Sequence, residues 1–185
     1  MAKRVRGQTT QLVGPQSFKV TPLRDQGALP AQPDTHAFWA EVTALSRSVT
    51  ASSQRLNEAE RKVRLLEVAV AQTPGGDPVA FDDRLASIKG ELYALDAMLN
   101  GNQARNEIAE RTQPTVRSRL GRVNFGMRGS TYGPTQTQRD QFGYAQAEYA
   151  GIKARVEALV DGTIPAFEAE LIAADAPWVP GGRIP

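Results

Sequence analysis

Cysteine is absent from this 185-residue chain, and histidine occurs once, at His36. The first absence removes disulfides, thiolate nucleophiles, iron–sulfur clusters and cysteine zinc sites, and the second removes any multi-histidine metal centre. No apolar run approaches the roughly 20 residues a membrane-spanning helix requires, because charges interrupt every candidate within a few positions. Neither sign of charge dominates: 22 Lys+Arg face 20 Asp+Glu for a net charge of +2, which is not the balance of a nucleic-acid binder. The opening Met1-Ala-Lys-Arg-Val-Arg-Gly7 is basic, but the apolar run of roughly 7–15 residues that a signal peptide needs does not follow, so the chain reads as cytoplasmic as written.

What is present is enough chain for one domain with a sizeable core, 41% hydrophobic, with alanine the commonest apolar residue. That composition favours helices packed at close range. Residues 1–33 carry Gly7, Gly14, Pro15, Pro22, Pro30 and Pro33, too dense a spacing for a helix, and read as an extended arm. Within it Ser17-Phe-Lys-Val20 alternates polar and apolar, and Lys3-Arg-Val-Arg6 is a candidate partner strand. Two short strands are marginal alone, so the pair reads as a β-hairpin-like edge that has lost its sheet.

From Asp34 or Thr35, candidate N-caps, the pattern turns helical. Phe38, Val42, Leu45, Val49, Ser52, Leu56, Ala59, Val63, Leu66 and Val70 follow a 4-3-4-3 spacing, a seam of period 3.5 that packs along neighbouring helices. Thr73-Pro-Gly-Gly76 stops it. A second seam, Phe81, Leu85, Ile88, Leu92, Leu95 and Leu99, ends at Asn100-Gly-Asn102, and the short connection folds the two helices into a hairpin. Residues 103–134 form an excursion: a short helix turns Val116, Leu120 and Val123 inward, and Gly126, Gly129, Gly133 and Pro134 mark a loop.

Thr135-Gln-Thr-Gln138 is a capping box that opens a third long helix. Its seam runs Phe142, Ala145, Tyr149, Ile152, Val156 and Leu159, then slips by one to Val160, Ile164, Phe167, Leu171 and Ala174. Pro165, which has no N–H for the Asp161 carbonyl, predicts a kink or local unwinding over residues 161–165. The expected fold is mainly α: an antiparallel bundle of three long helices with a short helical excursion over residues 34–176, then an irregular tail over 177–185 in which Trp178 is a candidate plug for the bundle end.

No residue earns a catalytic, cofactor-binding or metal-binding assignment. His36, beside Trp39, reads as a surface or end-packing residue. Glu58, Glu60, Glu67, Asp82 and Asp83 interleave with Arg55, Arg61, Lys62 and Arg84 as solvated helix faces do, and no pair flanks a sugar-sized cleft. Arg111, Arg117, Arg119, Arg122 and Arg128 are the only local basic excess; Arg117 and Arg119, near Glu107 and Glu110, read as ties that hold the excursion to the bundle. Gly126, Gly129 and Gly133 lack the Gly-Lys-Ser/Thr of a phosphate loop. Tyr144 is expected outside the core and Tyr149 inside it.

The order of these pieces resembles one family. Phe18-Lys-Val-Thr-Pro-Leu23, Glu91-Leu-Tyr-Ala-Leu-Asp-Ala-Met-Leu-Asn-Gly101, Val116-Arg-Ser-Arg-Leu-Gly-Arg-Val123, Gly133-Pro-Thr-Gln-Thr137, Ile164-Pro-Ala-Phe-Glu168 and Ala176-Pro-Trp-Val-Pro-Gly181 resemble the C-terminal helical region of bacterial β-propeller proteins with BNR/sortilin-like repeats, commonly grouped with glycosyl hydrolases. The resemblance implies a non-catalytic accessory domain, free of cofactors, that packs on the propeller of an exported parent or self-associates, with carbohydrate met only through that parent. The Asp-box repeat Ser-x-Asp-x-Gly-x-x-x-Trp of such propellers does not occur here, so no sugar-site residue carries over. Two other classes stay open: a contributor of an Arg-rich loop to a carbohydrate cleft, and a free-standing coiled-coil partner.

Overall fold

The computed structural model describes residues 2–5, 8–11, 14, 16–19, 34–128, 133–177 and 179. The chain divides into two compact units, Met1–Ala31 and Gln32–Pro185. In the first, β1 (Ala2–Val5) and β2 (Gln8–Gln11) form an antiparallel ladder in the register Ala2↔Gln11, Lys3↔Thr10, Arg4↔Thr9 and Val5↔Gln8. The partner of the first strand is therefore the adjacent Gln8-Thr-Thr-Gln11, and Ser17–Lys19 has no regular structure. Pairing neighbouring segments closes the smaller loop, and two β-branched threonines suit a strand. Phe18 is exposed, whereas Val20 and Leu23 lie outside the described residues.

The second unit is mainly helical: α1 (Asp34–Gln72), α2 (Pro78–Asn100), α3 (Gln103–Glu107), α4 (Val116–Arg128), α5 (Gln136–Glu157), a π-helical segment (Ala158–Thr163) and α6 (Ile164–Ala173). At about 1.5 Å per residue α1 is a rod of roughly 58 Å, far too long to stand unsupported. Its expected seam is the core: nine of the ten positions are buried and Leu45 packs partly against them.

Pairings along the rod set the topology. Lys89 meets Glu67 at 3.1 Å and Ser53 meets Asn100 at 3.3 Å, so α2 runs antiparallel to the second half of α1. Phe38 packs edge-on to Phe142 at 5.2 Å, Ser52 meets Tyr149 at 2.9 Å and Lys62 meets Glu168 at 2.7 Å, so α5 and α6 run parallel to α1 along its length. Arg117, at the start of α4, donates to Ser53, and Arg119 meets Glu148 at 2.9 Å while Gly126 lies against Gln138. Thus α4 flanks the first half of α1 and runs antiparallel to α5. The third position of the bundle is filled by two helices in succession, α2 and then α4, and residues 101–115 project from the break between them.

Local chemistry fixes each end. Asp77 Oδ1 accepts from the Val79 and Ala80 amides at 3.0 and 3.3 Å, with Pro78 in the first turn of α2. Gly101 (φ 94°) closes α2 by donating to Ala97. The Thr135–Gln138 capping box is formed in both directions at 3.3 and 2.8 Å. Gly126 departs from its expected place in a loop. It lies within α4, whose Val116, Leu120, Val123 and Met127 are buried, and the missing side chain leaves room for Gln138: a Cβ there would lie 2.5 Å from Gln138 Nε2.

The unwinding expected around Pro165 takes the form of the π-segment, where the Ile164 amide donates to Leu159 five residues back. A π-turn inserts one residue into an α-helix, and that insertion is the slip in the seam. Buried Leu159 is followed by buried Ile164, then Phe167 and Leu171. Past α6, Val179 is buried in the same core, while Trp178 lies outside the described residues.

Candidate functional site

The acidic and basic residues singled out in the sequence are spread over the rod. His36, Glu58, Asp82 and Asp83 are exposed, Glu60 pairs with Arg64 at 2.6 Å and Glu67 with Lys89 at 3.1 Å. Exposed pairs of this kind contribute about 0–1 kcal/mol each. Among the described residues no group of three or more His, Asp or Glu is placed to hold a metal ion, and no helix is long and apolar enough to cross a membrane.

The arginines of α4 divide by task. Arg117 donates from Nε to Asn100 Oδ1 at 2.7 Å and from Nη2 to Ser53 Oγ at 3.1 Å. No basic residue stands in the last turn of α2, so this guanidinium also supplies the positive charge that a helix C-terminus favours. Arg119 is held by Glu148 and by Gln141 at 2.9 Å, with its Cζ 5.4 Å from the centre of the Tyr144 ring. Both are ties, as expected, but to α1, α2 and α5 and not to the nearby acids; Glu110 pairs with Arg105 at 3.5 Å. Arg122 and Arg128 have no partner among the described residues, and between them on the same face Phe125 is 84% exposed. Tyr144 is exposed and Tyr149 buried, as expected.

Among the grooves of the second unit, two lie along α2 and share Tyr93 in their linings. One, of about 450 Å³, lies between α1 and α2: buried Leu56, Val63 and Leu92 form its floor, and Glu60, Glu67 and Asp96 stand along its rim. The other, wider and shallower at about 930 Å³, lies at the break in the composite helix, between Tyr93, Asn102, Arg111, Gln113 and Glu148. There Asn102 Nδ2 donates to the Tyr93 hydroxyl, and Arg111 has no partner among the described residues. Seam periodicity marks neither, since grooves form where two outer faces meet.

Sequence reasoning also passed over Glu168, which is buried although it follows Phe167 on the flank of the seam. Its Oε2 accepts from Lys62 Nζ at 2.7 Å, and its buried Oε1 has no hydrogen-bond partner among the described residues. About two turns away, Asp161 in the π-segment accepts from Arg55, which raises the pKa of that guanidinium and keeps it charged. The second unit thus presents an exposed aromatic between guanidiniums that have no partner among the described residues, an apolar groove with an acidic rim, and a polar groove beside a projecting loop.

No known protein family's model matches the chain, no curated protein matches it, and no solved structure matches its fold.

Proposed function

We propose that the chain is a non-catalytic helical accessory domain whose work is association, either by packing on a β-propeller of the BNR/sortilin-like kind that its sequence resembles or by pairing with further copies. One observation carries this reading. Large apolar side chains stand on the outside of an otherwise charged rod, Phe125 at 84% exposed, Tyr93 at 63% and Ile108 at 74%, while the polar side chains that face inward are engaged in holding the helices in register. Exposed aromatics beside arginine are the composition of interface cores. Reading the genomic DNA upstream of the Met1 codon is the first test. An in-frame propeller with Asp-box repeats, and its binding to this chain in a titration calorimeter, supports the propeller-bound form; a stop codon there turns attention to self-association.

A second reading has the groove at residues 93–115 in its favour. Tyr93, Arg111 and Gln113 offer the planar aromatic and polar groups that engage a sugar ring, so the excursion would be a loop lent to a carbohydrate cleft supplied by another part of a larger protein. Turnover of a glycoside by the parent that is lost when Arg111 and Tyr93 are replaced supports it.

A further inference from the structure

Two surfaces of this chain complement one another in apolar character and charge. The outer face of α4 presents Phe125 with Arg122 one turn before it and Arg128 one turn after, all three exposed. An 84% exposed phenyl ring gains on burial, and two unpaired guanidiniums beside it lose little if they meet carboxylates. The groove between α1 and α2 has an apolar floor of Leu56, Val63 and Leu92 and a volume of about 450 Å³, ample for a phenyl ring. Its rim holds Glu60, Glu67 and Asp96 against Arg64 and Lys89, one carboxylate in excess. The rim pairs Glu60–Arg64 and Glu67–Lys89 are about half exposed on both partners, so exchanging them for guanidiniums from outside costs little.

Phe125 cannot enter the groove of its own chain. α4 flanks the first half of α1 and the groove lies along the second half, between α1 and α2, on a rod held by cross-helix pairs at several levels. The occupant therefore comes from a second molecule, and a second copy carries the matching surface.

We propose that the chain self-associates by seating Phe125 of one copy in the α1–α2 groove of another, with Arg122 and Arg128 against the rim carboxylates. The proposal rests on the association reading above and names its surfaces. Because the two patches differ, one copy uses the donor face and the other the acceptor groove. Two copies can satisfy both at once in a closed pair, or each can pass the contact on in an array.

The test uses two variants of the full chain at exposed positions: Phe125→Asp spoils the donor face, and Asn57→Trp fills the groove from its rim. Circular dichroism shows that each retains the helical content of the wild type. In sedimentation velocity from about 1 to 200 µM, the wild type is expected to associate, and each variant alone to associate at least about tenfold more weakly. An equimolar mixture of the two retains one intact donor and one intact groove, and is expected to recover a 1:1 complex. A wild type that remains monomeric across the range overturns self-association while leaving propeller packing to its own titration. A wild type that associates equally well as Phe125→Asp overturns this pair of surfaces but not association. A mixture that fails to pair overturns the matching of face to groove.

Discussion

The hydroxyls of Ser52 and Tyr149, 97 residues apart in the chain, lie 2.9 Å from each other within the bundle, both side chains buried. One helical step away, Ser53, Asn100 and Arg117 join α1, α2 and α4 through bonds of 2.7–3.3 Å, and Asn100 in turn donates to Asp96 at 2.6 Å. A polar layer thus crosses the rod where α2 gives way to α4. Apolar seams of repeating spacing tolerate sliding by a heptad, and a satisfied polar layer does not. Tyr149→Phe is expected to cost about 1–2 kcal/mol by leaving the Ser52 hydroxyl buried without its partner. Tyr149→Phe with Ser52→Ala should recover much of that loss. Urea unfolding of the two singles and the double measures the coupling, and strict additivity would show that the bond contributes nothing.

The ion pair of Lys62 with Glu168 makes a different demand. The Glu168 side chain is 10% exposed and that of Lys62 37%, so Lys62→Ala leaves a carboxylate in the protein without its counter-charge. The expected loss is about 1–3 kcal/mol, below the range for fully buried pairs because the lysine side is partly solvated. Replacing both with methionine is expected to be near neutral, since the burial cost of the charges disappears with their attraction. Denaturant midpoints of the single and double variants decide it.

Glycine-to-alanine substitution should change sign with position. Gly143 and Gly151 sit on the outer face of α5, where an added Cβ meets nothing within 4 Å, so each replacement is expected to stabilise by about 0.5–1 kcal/mol through helix propensity. Gly76 has φ +80°, and a Cβ there would lie 2.7 Å from the Phe81 ring, so Gly76→Ala should lower stability by at least about 1 kcal/mol. Ala109 is the converse case: at φ 55°, it follows α3 where Glu110 N–H reaches back to Arg105 O at 3.0 Å. Ala109→Gly should relieve about 1 kcal/mol of strain. Thermal melts of the four variants read the signs directly.

Leu95 has no exposed surface and sits mid-seam on α2. Leu95→Asp places a carboxylate among apolar side chains and is expected to abolish cooperative unfolding near neutral pH. A sharp melt retained by that variant, followed by circular dichroism, would falsify the packing of α2 against α1 and α5.

Which faces are buried was legible from spacing alone. The 4-3-4-3 runs from Phe38 to Val70 and from Leu85 to Leu99 are core positions, and the slip between Leu159 and Ile164 is the π-segment. Stops and starts were equally local: Asp77, Gly101 and the Thr135–Gln138 box act within a turn of themselves. What spacing does not carry is partnership. A seam says that Ser52 and Tyr149 face inward but not that they face each other, and Arg117 sits near Glu107 in sequence yet bonds across to Ser53 and Asn100. The strand pairing went astray for a related reason: alternation at Ser17–Lys19 signals a face, whereas Gln8–Gln11, which lacks alternation, makes the ladder. The candidate surfaces were the least legible part, because exposure of Phe125 and the groove floor depend on how outer faces meet.

The break between α2 and α4 turns the rod into a carrier with a built-in port. Asn100 and Arg117 are joined directly by a 2.7 Å bond, and both are bonded to Ser53 of the continuous α1, so the two ends of the excursion are pinned together independently of the chain between them. Lengthening a loop whose ends are already fixed costs only about 0.6 kcal/mol for each doubling. Residues 103–113 can therefore be exchanged for longer peptides, displayed halfway along the rod, without asking the core to move.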